Sequence, residues 1–229
     1  AYEIYQCDWS SDVCSSDLDG ADVVITYAGN REGADATVAA ITAEGVKGKA
    51  IQADAADRAA VERSVAEAAE ALGGIDILVH NAGVATFAPL GPEAIDVYDR
   101  TFGVNVEGVL VGTAAALPHL SDGGRVILIS SVSADIAGFA GNSVYAASKA
   151  AVSMFARTWA YDLGGRGILV NAIQPGPVDT DMNPADTEFA DQIKQSVILK
   201  RYGRPEEIAG VASFLASDDA SYITARRST

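Results

Sequence analysis

Tyr145 and Lys149 stand four residues apart in the segment YAASK. On a helix, a phenol at position i and an ammonium at i+4 share one face, an arrangement suited to proton transfer at a carbonyl oxygen. An unperturbed tyrosine titrates at about 10, too high for efficient acid–base work at neutral pH. A fixed lysine charge beside it favours the phenolate and pulls that value down. Alone, the spacing is equally that of an ordinary amphipathic helix. Other chemistry-bearing residues surround it: Ser131 in ISS, Asn105 in NVEG, Asn81–Gly83 (NAG) and Pro175–Gly176 in QPGPVDT. Each has a plain structural role when taken singly. A serine pair caps a strand end, an asparagine is solvated on a helix, and Gly or Pro-Gly makes a turn.

The elements that must position these residues are legible in the apolar pattern. Residues 21–27 (ADVVITY), 47–54, 75–83, 124–131 and 167–176 read as strands, most of them near-continuous runs of Val and Ile. Between them, helical spacing predicts helices over 31–44, 57–71, 93–119, 143–164 and 205–216, with 177–203 polar and irregular. Strand–helix alternation with fully apolar strands predicts one α/β domain built on a doubly wound parallel sheet covered on both faces. Ligands of such sheets bind beyond the carboxyl ends of the strands. Asp54, Asn81–Gly83, Ser131 and Pro175–Gly176 all fall at such ends.

The ordered set of NAG, Asn105, Ser131, Tyr145/Lys149 and PG resembles the short-chain dehydrogenase/reductase family, particularly members similar to 3-oxoacyl-carrier-protein reductase. The resemblance covers about residues 19–224 and implies a Rossmann-like fold and a hydride exchange between a nicotinamide cofactor and a carbonyl or secondary alcohol. It makes Tyr145 the general acid of reduction or base of oxidation. Lys149 would lower the pKa of Tyr145 and bind the nicotinamide ribose. Ser131 would hold the substrate oxygen, and Asn105 would kink the long helix and keep a water in the proton relay.

For the cofactor, the resemblance implies that Asp54, with Ala55 beside it, holds the adenine amino group. It places Asn81, Ala82 and Gly83 along the adenosine ribose, and Pro175, Gly176, Val178 and Thr180 around the carboxamide. No acid stands at Tyr27 or its neighbours, where NAD-preferring relatives hold the ribose 2′-hydroxyl. Arg31 follows as a bidentate partner for a 2′-phosphate, so NADP is expected over NAD. No metal site is expected. His80 stands where relatives often have Asn. The full-length parent is expected to be a homotetramer or homodimer. A second reading keeps the fold without the chemistry: QPGPVDTDMNPA resembles a subgroup that includes a cyclic-dinucleotide-binding regulatory protein. Such a binder has no need of Asn105, Ser131, Tyr145 and Lys149 together.

Residues 1–18 differ from the rest. They hold both cysteines (Cys7 and Cys14), one of the two tryptophans and much serine, with neither a basic stretch nor an apolar one to make a signal peptide. CDWSSDVCSSDL back-translates into a common high-throughput-sequencing adapter read in one frame. Residues 1–18 are therefore expected to be a non-native leader, and 19–229 a truncated domain. The expected losses are the family's first strand, its glycine-rich TGxxxGxG turn and first helix, and its last strand beyond SYIT. With the central strand gone, two strand edges would lie open, so the chain as written is expected to be inactive or unfolded.

The chain carries a formal −15. The leader supplies four acids and no Lys or Arg, which leaves −11 for the remainder. An acidic surface repels phosphate, so nucleic acid is not an expected partner. It also disfavours an acidic acyl carrier as the substrate's bearer. No apolar run reaches the ~18 residues of a membrane span. The expected partner is a small carbonyl or alcohol, and the expected location the cytoplasm.

Overall fold

The computed structural model describes residues 2–6, 20–136 and 138–228. Among the described residues, seven parallel strands form one sheet in the order β3-β2-β1-β4-β5-β6-β7. They are β1 (Tyr2–Gln6), β2 (Asp22–Tyr27), β3 (Gly48–Gln52), β4 (Ile75–His80), β5 (Leu120–Ile129), β6 (Leu169–Ile173) and β7 (Arg227–Ser228). The helices are α1 (Arg31–Ala43), α2 (Arg58–Leu72), α3 (Pro92–Phe102), α4 (Gly108–Ala116), α5 (Ser143–Leu163), α6 (Glu188–Ser196) and α7 (Pro205–Ala216).

Strand side chains alternate between faces, and here both faces are apolar. Val24, Leu78, Val126, Leu128 and Val170 point to the side covered by α2, α4 and α5, meeting Val65, Ala68, Val109, Val152 and Ala156. Val23, Ile25, Ile77, Val79, Ile127 and Ile173 point to the side of α1 and α7, meeting Ala34, Ile41, Ala212 and Leu215. This two-sided burial is why β2 and β4 read as unbroken apolar runs rather than as alternation. Among the described residues, no helix is long and apolar enough to cross a membrane.

Two expectations are corrected. The central position is filled: Tyr2–Gln6 pairs in parallel with Asp22–Thr26 on one side and, from Glu3 onward, with Ile77–His80 on the other. The segment YEIYQ combines aromatic and β-branched residues that favour the extended backbone. Its pairing satisfies the N–H and C=O groups that an empty slot would strand. The far edge is also occupied, by Arg227–Ser228 beside Ala172–Ile173. The turn and helix expected to be lost between β1 and β2, with both cysteines, fall on residues 7–19, outside the described residues.

The long helix expected over 93–119 is three pieces. Between α3 and α4, Gly103–Glu107 winds as a π-helix. Gly108 follows because a Cβ there would collide with the carbonyl oxygen of Ala55, so α4 approaches the end of β3 closely only without a side chain. The stretch expected to be irregular contains α6, capped by the Thr187 hydroxyl accepting the Ala190 N–H at 3.1 Å.

His80, at the end of β4, is buried with Nε2 2.8 Å from the Thr113 hydroxyl. Burial drives its pKa from 6.5 down to about 3. The folded protein therefore keeps it neutral while the unfolded chain protonates it. Its effect on stability is absent above pH 6.5 and grows as pH falls from there toward 3. The slope is about 1.4 kcal/mol lost per unit. His80→Asn is expected to flatten this acid-side decline, as measured by urea unfolding at pH 7 and pH 5. Equal slopes in both proteins would show that His80 is not the group responsible.

Candidate active site

The carboxyl ends of β4, β5 and β6 open onto one cleft. It is lined by Asn81, Gly83, Ser131, Tyr145, Lys149, Pro175, Gly176, Val178 and Thr180, together with Val84, Ile129, Ser130, Met182, Asn183 and Ile208. Three elements set its chemistry. Strand β5 leads directly into Ser130–Ser131, helix α5 carries Tyr145 and Lys149 one turn apart, and the π turn holds Asn105.

Asn105 is fully buried, and its carboxamide clamps the loop after β4. Its Oδ1 accepts the Val84 N–H at 2.8 Å, and its Nδ2 donates to the Val84 carbonyl at 2.9 Å and to the Ser148 hydroxyl at 3.0 Å. Both Nδ2 hydrogens are thereby engaged, and the loop is locked to helix α5.

Ser131 lies in extended backbone, its Oγ accepting the Ser133 N–H at 3.1 Å. Burial pushes the Tyr145 phenol above 10, and the neighbouring Ser131 side chain only partly opposes it. The sequence reading expected Lys149 to bring this pKa down, but in the ligand-free cleft the net shift is upward. The Lys149 ammonium lies 5.9 Å from the centre of the phenol ring, and it is itself destabilised. Burial lowers Lys149 from 10.5 to about 8.

Lys149 Nζ donates to the Ile129 carbonyl at 2.9 Å. An ammonium has three donors, so two remain for a ligand in the cleft. Beneath it runs a buried polar chain. Ser130 Oγ donates to the Lys149 carbonyl at 2.7 Å and lies 2.8 Å from Ser153 Oγ, which accepts from Gln174 Nε2 at 3.0 Å. Gly83 leaves the space above Lys149 open. A Cβ there would stand 3.2 Å from Nζ and 3.4 Å from Asn105 Oδ1. The wall carrying Val178 and Thr180 is held by bridges from Val178 to Gly203 and from Thr180 to Asn183.

The remaining candidates lie apart from this cleft. Ala82 is buried behind it, with Ala55 and Val104. Asp54 follows β3, where both carboxylate oxygens take the Arg100 guanidinium at 2.8 Å and one accepts the Ala56 N–H at 2.9 Å. Burial raises its pKa, but these bonds outweigh burial and hold it below the ordinary value. Arg31 opens α1 after β2, exposed and paired with Asp35 at 3.1 Å. Sequence reasoning missed Val84, Ile129, Ser130, Met182, Asn183 and Ile208. Ser130 carried a signal, as the first serine of the ISS strand end, whereas Ile208 reaches the cleft from α7 and has none.

Residues 16–228 match the family model described as enoyl-(acyl carrier protein) reductase. The cyclic-di-GMP-binding biofilm dispersal mediator protein of Escherichia coli (strain K12) is 39% identical over 206 residues, spanning 90% of this chain and 83% of that protein. The structure of a short-chain dehydrogenase/reductase from Serratia marcescens BCRC 10948 is 43% identical with a TM-score of 0.95, covering 99% of this chain and 94% of that one. A short chain dehydrogenase from Burkholderia cenocepacia J2315, solved in complex with NADP, is 41% identical with a TM-score of 0.96 and the same coverages of 99% and 94%. The ordered residues, the parallel sheet and these likenesses agree: the chain belongs to the short-chain dehydrogenase/reductase family.

Proposed function

We propose that the protein is an NADP-dependent oxidoreductase that interconverts a carbonyl and a secondary alcohol, with Tyr145 as the general acid of reduction. The observation that carries this reading is that Ser131, Tyr145 and the buried Lys149 line one cleft. NADPH, when bound, supplies a hydride to the carbonyl carbon. Ser131 donates to the substrate oxygen and holds it beside Tyr145, which delivers its proton to that oxygen as charge develops there. The buried Lys149 charge stabilises the resulting phenolate. In the reverse direction the phenolate takes the alcohol proton. Asn105 keeps the loop carrying Gly83 and Val84 fixed against α5.

The residues present fit the cofactor. Gly83 leaves open the space into which Lys149 can donate to ribose hydroxyls, and Pro175, Gly176, Val178 and Thr180 form the wall beside the reacting groups. The likeness to an NADP complex supports the choice of NADP, and so does Arg31 at the start of α1. Arg31→Ala is expected to raise the KM for NADPH about tenfold, the worth of a charge-assisted bond of about 1.4 kcal/mol. The KM for NADH should barely change. Equal effects on both cofactors would remove Arg31 from the 2′-phosphate site.

The pH profile tests the acid–base assignment. In kcat/KM for reduction, Tyr145 must be protonated and Lys149 charged. Tyr145 sits above 10 and Lys149 near 8 in the free protein. The alkaline limb is therefore expected near pH 8. A limb at or above pH 10 would show that the lysine charge is not required.

The Escherichia coli relative favours a second reading, a nucleotide-binding regulator on the same fold. Cyclic-di-GMP binding without any NADPH turnover across simple ketones and aldehydes would establish it. The complete set of Asn105, Ser131, Tyr145 and Lys149 supports the enzyme.

A further inference from the structure

A pair of aromatic rings adjoins the ring of Tyr145, and the proton chemistry above makes no use of it. Phe87, in the loop after β4, packs edge-on against the Tyr145 ring, with centroids 5.8 Å apart at 76°. It meets Phe139, in the loop after β5, at 5.1 Å and 72°. The two loops are joined by the Ala88 N–H donating to the Gly141 carbonyl at 3.0 Å. Despite this mutual packing, Phe87 remains 50% exposed and Phe139 46%. Scattered exposed apolar side chains need no explanation, but a contiguous ring cluster beside a reacting group does.

The cleft beside these rings, which meet it through Tyr145, has the same preference. Val84, Ile129, Met182 and Ile208 contribute apolar lining, and among the described residues Lys149 is the one charged side chain that lines it. The segment 177–193, which supplies Met182 and Asn183, carries Asp179, Asp181, Asp186, Glu188 and Asp191, of which Asp191 is paired with Lys194 at 2.9 Å. A carboxylated or phosphorylated substrate would meet these acids as it entered.

We propose that the substrate is an uncharged ketone whose carbonyl is attached to an aromatic ring. The ring lies against Phe87 and Phe139 while the carbonyl oxygen meets Tyr145 and Ser131. This inference rests on the carbonyl chemistry proposed for the same cleft. Edge-to-face contact favours an aromatic ring over a saturated one of the same size. In reduction, the carbonyl carbon gains hydride from NADPH and the oxygen gains the Tyr145 proton, yielding a benzylic secondary alcohol and NADP+.

The test compares acetophenone, cyclohexyl methyl ketone and acetoacetate at saturating NADPH. Acetophenone is expected to exceed cyclohexyl methyl ketone in kcat/KM by about tenfold, the worth of two favourable ring contacts. Acetoacetate should be the poorest. Phe87→Leu, which keeps apolar bulk without a ring, should erase the acetophenone advantage, and the loss should appear in KM rather than kcat. Equal losses on both ketones would overturn the proposal and leave Phe87 as a support for Tyr145. A preference for acetoacetate would overturn it as well.

A binding titration separates this inference from the catalytic reading. Acetophenone is titrated calorimetrically into Tyr145→Phe and into the double variant with Phe87→Leu. If no ketone is turned over yet acetophenone binds and Phe87→Leu abolishes binding, ring recognition stands and the carbonyl chemistry fails. Absence of binding in Tyr145→Phe overturns ring recognition.

Discussion

Tyr145→Phe is expected to lower kcat for carbonyl reduction by at least about a hundredfold while NADPH still binds. The substitution removes one oxygen and keeps the ring that packs against Phe87, so fold and cofactor wall are preserved. Only the proton donor is lost, and a positioned acid contributes about 10²–10⁴ to such a step. The measurement is steady-state loss of NADPH absorbance at saturating cofactor, paired with a fluorescence titration of NADPH. Retained turnover would refute the role assigned to Tyr145. Loss of both turnover and binding would mean that the phenol serves the cofactor site rather than the proton.

The second large effect concerns the link between β1 and β2. Residues 7–18, CDWSSDVCSSDL, contain no glycine, whereas the family resemblance places there a glycine-rich turn whose helix N-terminus receives the pyrophosphate. Backbone N–H groups aimed at a phosphate need both the close approach that glycine permits and a helix start behind them. Replacing residues 1–18 by a strand, a TGxxxGxG turn and a helix running into Asp19 is expected to tighten NADPH binding by at least about a hundredfold. Two charge-assisted hydrogen bonds at about 1.5 kcal/mol each supply that factor. Because Tyr2–Gln6 already completes the centre of the sheet, the gain should appear in cofactor affinity more than in unfolding midpoint. If the chain as it stands binds NADPH equally well, the leader reading fails, and residues 7–19 must hold the pyrophosphate in another way.

These two experiments act on different atoms of one cleft and can be combined. Tyr145→Phe in the exchanged chain should show the tighter NADPH binding and still lack turnover. That result would separate the affinity supplied by backbone N–H groups from the rate supplied by a single hydroxyl.

Some of this protein was determined by sequence alone. The apolar runs of β2 and β4 are local signals, and two-sided burial makes them unmistakable. The four-residue spacing of Tyr145 and Lys149 places them on one helical face whatever surrounds them. The ordered positions of Asn81–Gly83, Asn105, Ser131 and Pro175–Gly176 carried the family, because strand ends and turns constrain residue type locally. The Thr187 cap was also in reach, with Glu188 and Asp191 in its first turn and Lys194 in its last.

The rest required neighbours that sequence separation hides. Whether Tyr2–Gln6 could serve as a central strand depended on β2 and β4 presenting open backbone groups to it. The π turn at Gly103–Glu107 accompanies Asn105 bonding to Val84, 21 residues away. Ile208 became part of the cleft only through the packing of α7 on the sheet. Spacing pointed to a lysine that lowers its tyrosine, yet burial raised Tyr145 and lowered Lys149 to about 8. A residue's type and its place on a helix are properties of the chain. Its charge state belongs to the dielectric around it, and only the folded protein decides that.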